Sequence, residues 1–210
     1  MTKGIVIARF NEDLKWLEDF TDFNIHIYNK GNNIDLKNVV LPNIGREAHT
    51  YLTHIVNNYD NLDDFIVFCQ GNPNDHSNSK NFINCQDYVG YKTYVNYWAN
   101  LVDGEVISRK HIPGSLWMNF KSRSQITPTV IYNMVFNGKK IPEDCWVPVC
   151  AQFSVNKESI LKHKKEVYID LLNLFNRQDS NWMAYVLEYC WTLIFSDVLY
   201  KIEDTGGSIV

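Results

Sequence analysis

The chain has 210 residues, 45% of them hydrophobic and 21% charged, with a net charge of −4. This length and composition suit one large globular domain, with two small ones as the alternative, and residues 1–210 read as a single unit that could be one domain of a longer protein. No basic patch is visible, which argues against a nucleic-acid binder, and no apolar stretch approaches the roughly 20 residues needed to span a bilayer.

The first third reads as strands alternating with helices. Gly4–Ala8 is a short β-rich run, and Asn11 is placed to cap a helical turn over Asp13–Leu17. Residues 23–28 alternate as a second strand, Asn29–Asn33 forms a turn, and Asn38–Leu41 is a third strand stopped by Pro42. The spacing of Ala48, Tyr51, Leu52, Ile55 and Val56 predicts an amphipathic helix over Arg46–Asn58. Phe65–Cys69 is a buried-type strand that ends in the polar turn Gln70-Gly71-Asn72-Pro73-Asn74-Asp75-His76. Strands alternating with helices predict an α/β fold whose central sheet is mostly parallel and flanked by helices.

Residues 77–125 read as irregular, with Tyr88, Tyr91 and Tyr94 spaced to share a helical face. That stripe is either core packing or a platform for a sugar acceptor, since aromatic rings with polar edges suit both. Residues 146–155 read as a strand or hairpin, which Pro148 makes an edge or a bend. Asn156 or Ser159 is placed to cap a helix through Ile160-Leu161; further helices follow over 167–175 and 182–195. The five cysteines, Cys69, Cys85, Cys145, Cys150 and Cys190, form no CxxC pair. They read as reduced, mostly buried thiols, which together with the lack of a signal-like start gives the expectation of a cytoplasmic protein.

Four constellations carry chemistry. Ala8, Arg9, Phe10, Asn11, Glu12 and Asp13 end the first strand, where backbone amides, an amide side chain, acids and a ring can read a nucleoside; the same residues also make a plain helix cap. Gly45-Arg46 opens a helix, and a helix amino terminus with an arginine suits a diphosphate; a surface Arg46–Glu pair is the alternative. Gln70, Gly71, Asn72, Asp75 and His76 offer oxygen donors and an imidazole to Mn2+ or Mg2+, or they simply build a turn. Glu188 is an isolated acid in an apolar helix, hence a candidate general base or a structurally paired carboxylate.

These anchors carry a resemblance. Ile5–Asp13 with Trp16-Leu17, Leu41-Pro42-Asn43, Gly45–Leu52, Phe68–Pro73 with Asp75-His76, Ala151-Gln152-Phe153 and Glu188 with Trp191 resemble an uncharacterised domain family of fungi and large DNA viruses. That family is similar to the GT-A class of nucleotide-sugar glycosyltransferases. The size is similar to that of the amino-terminal glycosyltransferase domain of a multidomain chlorella-virus protein. The resemblance implies a Rossmann-like GT-A fold, a UDP-sugar donor such as UDP-glucose or a related hexose or deoxyhexose, and a glycan acceptor such as a viral capsid glycan. It also implies Mn2+ or Mg2+. It puts uridine against Ala8–Asn11, the diphosphate near Arg46 and the 70–76 turn, the sugar near Gln152, and the base at Glu188, with Asp75 as a substitute. Where GT-A enzymes carry Asp-x-Asp this chain has Gln70-Gly71-Asn72. The rival expectations are a non-catalytic nucleotide- or glycan-binding module and a metal-dependent phosphoesterase.

Overall fold

The computed structural model describes residues 1–32, 39–75, 78–79, 82, 90–94, 98–110, 125–176 and 180–196. Among the described residues are nine strands: β1 (Lys3–Arg9), β2 (Asn24–Asn29), β3 (Val39–Val40), β4 (Phe65–Gln70), β5 (Tyr91–Thr93), β6 (Trp98–Val102), β7 (Glu105–Lys110), β8 (Asp144–Pro148) and β9 (Phe153–Asn156). The α-helices are α1 (Arg46–Asn58), α2 (Pro128–Val135), α3 (Lys157–Leu161), α4 (Lys165–Asn173), α5 (Ser180–Glu188) and α6 (Trp191–Phe195). Among the described residues no helix is long and apolar enough to cross a membrane.

The main sheet has the order β3-β2-β1-β4-β9-β5. β1, β2, β3 and β4 run parallel, and β9 is antiparallel to both neighbours. The architecture is therefore α/β with a mostly parallel, mixed central sheet flanked by helices. A central parallel strand has both faces covered, so its sequence is continuously apolar rather than alternating. Ile5, Val6 and Ile7 of β1 are all fully buried. Their neighbours divide by parity. Val6, Ile66 and Phe68 face the core under α1 and the carboxyl-terminal helices, while Ile5, Ile7, Phe65, Val67 and Cys69 face Phe20, Phe23 and Phe82.

From β1 the chain steps to β2 and β3 on one side, then returns to place β4 on the other. The crevice at the carboxyl ends of β1 and β4 is a topological switch point, where open α/β sheets bind ligands. β9 enters from the opposite direction, pairing Phe153 with Phe68 and Asn156 with Phe65. This reversal brings Ala151 and Gln152 to the same end of the sheet.

Several local expectations are revised. The segment read as irregular contains β5, β6 and β7, and β6 and β7 join β8 in a second antiparallel sheet of order β7-β6-β8. β8 is an edge strand ending at Pro148, as a proline without a ladder donor requires. Tyr91 lies on a strand and packs on Phe153 and Phe195, so no helical tyrosine stripe forms there; Tyr88 lies outside the described residues. The helix read as continuous over 182–195 breaks into α5 and α6, where Tyr189 and Cys190 tighten to i−3 hydrogen bonds. Asn11 does not cap the turn that follows it: Asp13 accepts from the Lys15 amide, while Asn11 accepts from the Asn32 amide. Asn156 does cap α3, accepting from the Ser159 amide at 3.0 Å. Cys69, Cys145, Cys150 and Cys190 are free and buried, and Cys85 lies outside the described residues.

α1 carries a polar knot on its buried face. His54 is 1% exposed, and its Nδ1 shares a hydrogen bond with the Tyr28 hydroxyl at 3.0 Å and faces the Asn58 amide at 3.3 Å. Beside it, His26 donates to Asp63 at 2.9 Å, and the two imidazoles stand 4.7 Å apart. Burial, reinforced by His26, pushes His54 down to about 3, and burial pushes His49 down to about 4. Unfolded imidazoles titrate near 6.5, so below that pH the unfolded chain takes up protons that the native one refuses. Stability is full above pH ~6.5 and falls as the pH drops toward these folded values. We predict that the urea midpoint declines between pH 7 and 4.5 and that His54→Phe makes the decline shallower. An equally steep decline in the variant would show that this imidazole is not responsible.

Candidate functional site

A cleft of about 410 Å³ opens at the β1–β4 switch point, lined by residues from the ends of β1, β2 and β4 and the start of α1. Among the described residues, every lining one falls within the first 75 positions: Ala8, Arg9, Phe10 and Glu12 after β1, Lys30 after β2, Asn43, Arg46 and Glu47 at α1, and Gln70 and Asp75 after β4. Among these described residues the balance is three cations against three carboxylates, so local pairing decides which charge faces a ligand.

Arg9 is only 5% exposed and is built into the floor. It donates to the Glu12 carbonyl at 3.0 Å and to Asn29 Oδ1 at 2.8 Å. The Glu12 carboxylate accepts from the Phe10 and Asn11 amides at 2.7 and 3.1 Å. The two amides placed to read a nucleoside are therefore held by Glu12. The Phe10 ring, 46% exposed, remains a flat face at the rim.

The turn after β4 is equally organised. The Gly71 amide donates to the Ala8 carbonyl at 2.9 Å, and the Gly71 carbonyl accepts from the Trp16 indole. A Cβ on Gly71 would collide with the Glu12 carboxylate, which explains the glycine. Gln70 donates to the Asn72 carbonyl at 2.9 Å, and Asn72 donates to Asp75 Oδ1 at 2.6 Å. Gln152 is fully buried and donates to the Pro73 carbonyl at 3.2 Å, so it braces this turn from behind. His76 lies outside the described residues. Among those described, no three His, Cys, Asp or Glu side chains assemble a metal centre. Asp75 brings one carboxylate, already bonded by Asn72, and this donor set does not by itself fit a protein-held divalent cation.

The opposite rim is cationic. Gly45 and Arg46 both have positive φ, 61° and 45°, immediately before the regular turns of α1. The Arg46 guanidinium lies over the Tyr185 ring, donates to its hydroxyl at 3.2 Å and meets Glu47 at 3.5 Å. Burial pulls its pKa down, but Glu47, Tyr185 and Glu188 outweigh burial and hold the group charged. Glu188 is one turn beyond Tyr185 on α5, the i, i+3 spacing that puts both on one face. It stands outside the cleft lining but within the field of Arg46, and its carbonyl accepts from the Cys150 amide at 3.4 Å. Behind this rim the Tyr51 hydroxyl donates to the Ala151 carbonyl at 2.6 Å, joining α1 to the segment that carries Gln152.

The structure thus gathers Ala8, Arg9, Phe10, Arg46, Gln70 and Asp75 at one cleft. Gln152 and Glu188 stand behind or beside it. Lys30 and Tyr185 are site residues that sequence motifs do not announce. The i, i+3 relation to Glu188 is a readable signal for Tyr185, whereas Lys30 has none.

These features define the chain as an α/β protein with a mostly parallel mixed sheet and a polar cleft at its switch point. It belongs to the family described as "Protein of unknown function (DUF3431)", whose model matches residues 5–206. No curated protein and no solved structure matches the chain.

Gly45 yields a direct test of the rim. Its φ of 61° disfavours any side chain, and a Cβ there would strike the Phe175 ring. Gly45→Ala is expected to cost about 2 kcal/mol or more, combining left-handed strain with overpacking. Urea unfolding measures it, and a cost below ~0.5 kcal/mol would mean the turn relaxes freely.

Proposed function

We propose that this protein is a glycosyltransferase of GT-A type, moving a sugar from a UDP-sugar to a hydroxyl of a glycan acceptor. The observation that carries the reading is the cleft at the β1–β4 switch point, with an exposed aromatic face at Phe10 and a charged Arg46 opposite. A nucleoside would stack on Phe10 and its diphosphate would meet Arg46. The mostly parallel sheet around β1 is compatible with a Rossmann-like fold.

In the proposed reaction Glu188 accepts the proton of the acceptor hydroxyl as its oxygen bonds to the anomeric carbon. The bond from that carbon to the diphosphate breaks, its electron pair leaves on the phosphate oxygen, and Arg46 stabilises the charge that develops there. Asp75 is the alternative base, since it lines the cleft and is exposed. No step is routed through a cation. A divalent ion would depend chiefly on diphosphate oxygens, with Asp75 as its protein carboxylate. A second reading, a nucleotide- or glycan-binding module without turnover, is favoured by the position of Glu188 outside the cleft lining.

Incubation with a panel of UDP-sugars, with and without Mn2+, tests turnover directly. Glu188→Gln is expected to lower transfer by about 100-fold or more while leaving UDP affinity within about threefold. Full turnover in that variant would remove Glu188 from the mechanism, and UDP binding without turnover of any donor in the wild type would leave the binding module. For the cation, chelator should weaken UDP binding and Asp75→Ala should match its effect. Unchanged affinity in both would mean the nucleotide binds without metal.

A further inference from the structure

Lys30 belongs to no motif and follows directly after β2, yet it grips the cationic rim. Its ammonium donates to the Ile44 carbonyl at 2.6 Å and to the Arg46 carbonyl. Gly45 and Arg46, with their φ values of 61° and 45°, lie in the turn those carbonyls bracket. A left-handed arginine persists only where its surroundings hold it. An ammonium has three hydrogens; two point at these carbonyls, and Lys30 still lines the cleft.

We infer that Lys30 is the positioning residue of this site, its ammonium holding the Ile44–Arg46 turn in the form that aims Arg46 at a bound diphosphate and adding its own charge there. The diphosphate as ligand rests on the nucleotide-sugar reading; the grip on the turn does not. Glu47 and His49 of α1 face Lys30, and Arg46, Arg9, Glu12 and Asp75 share its cleft. Burial brings the ammonium down to about 8, with the Glu47 carboxylate opposing that fall. His49 is held at about 4 and stays neutral in this range. Anion affinity should therefore fall as the pH rises past about 8, where the free protein loses the Lys30 charge.

The test measures binding of UDP, uridine and inorganic pyrophosphate by calorimetry at pH 7 and pH 9. The wild type is expected to lose UDP and pyrophosphate affinity at the higher pH and to keep its uridine affinity. Lys30→Met should weaken UDP and pyrophosphate by about tenfold or more at pH 7, with uridine unchanged. Lys30→Arg keeps the charge and should restore most of that affinity without the loss at pH 9. UDP or pyrophosphate affinity that is insensitive both to Lys30→Met and to pH would overturn the inference and leave the glycosyltransferase reading intact. Pyrophosphate binding that depends on Lys30, with no UDP binding, would do the reverse. If Lys30→Met does not fold, the wild-type pH profile and Lys30→Arg decide. A wild type that binds neither UDP nor pyrophosphate overturns both.

Discussion

The buried Arg9 guanidinium is the contact on which this end of the molecule depends. A charge removed from water must be hydrogen-bonded, and leaving one such partner unmade costs about 1–3 kcal/mol. Arg9 meets the demand by tying the segment after β1, through the Glu12 carbonyl, to the end of β2, through Asn29. Asn29 passes the constraint on by donating to the Gly31 carbonyl at 3.0 Å, and Gly31 is packed against the Phe10 carbonyl so closely that no Cβ fits. With those ends fixed, Lys30 can reach across to the start of α1 and Glu12 can close on the amides of Phe10 and Asn11. The cleft is a consequence of satisfying one buried cation.

The floor of the cleft is therefore rigid and internally satisfied, while its two sides differ in character. The β4 side is a chain of bonds donated by side-chain amides, from Gln70 to the Asn72 carbonyl and from Asn72 to the Asp75 carboxylate, with Gln152 behind it. The α1 side is held by charge: Lys30 on carbonyls, and Arg46 over an aromatic face with acids around it. The second sheet shares the apolar core on which these walls rest, through Ala99, Leu101, Cys145 and Val147.

What was legible in the sequence follows from locality. β1, β4 and α1 are written in contiguous apolar patterns, and Gly45 before Arg46 marks the start of α1 within a residue. β5 was hard to read because its partner β9 lies far along the chain, as β8 does for β6, with Asn100 opposite Trp146; the β6–β7 hairpin is local and turns at Asp103-Gly104, a readable signal inside the stretch read as irregular. α2 carries a start signal, Thr127 capping the Val130 amide with Pro128 in the first turn, but its eight residues are too short to show a period. At the site, residues at strand ends could be read from position alone. Lys30 could not, because its role is set by the Ile44 and Arg46 carbonyls, which come near it only after folding. The break at Tyr189–Cys190 was hidden because apolar spacing continues across it.

The division between the two parts of the chain has one more consequence. The cleft is lined by the first 75 residues, but its walls are braced by Gln152, Tyr185 and the Ala151 carbonyl from beyond β8. Whatever occupies it is gripped firmly only when the distant braces are in place. By mass action, an occupant that binds only the folded chain stabilises it as a whole, so filling a cleft lined from one third of the sequence also stabilises the distant segments that brace it.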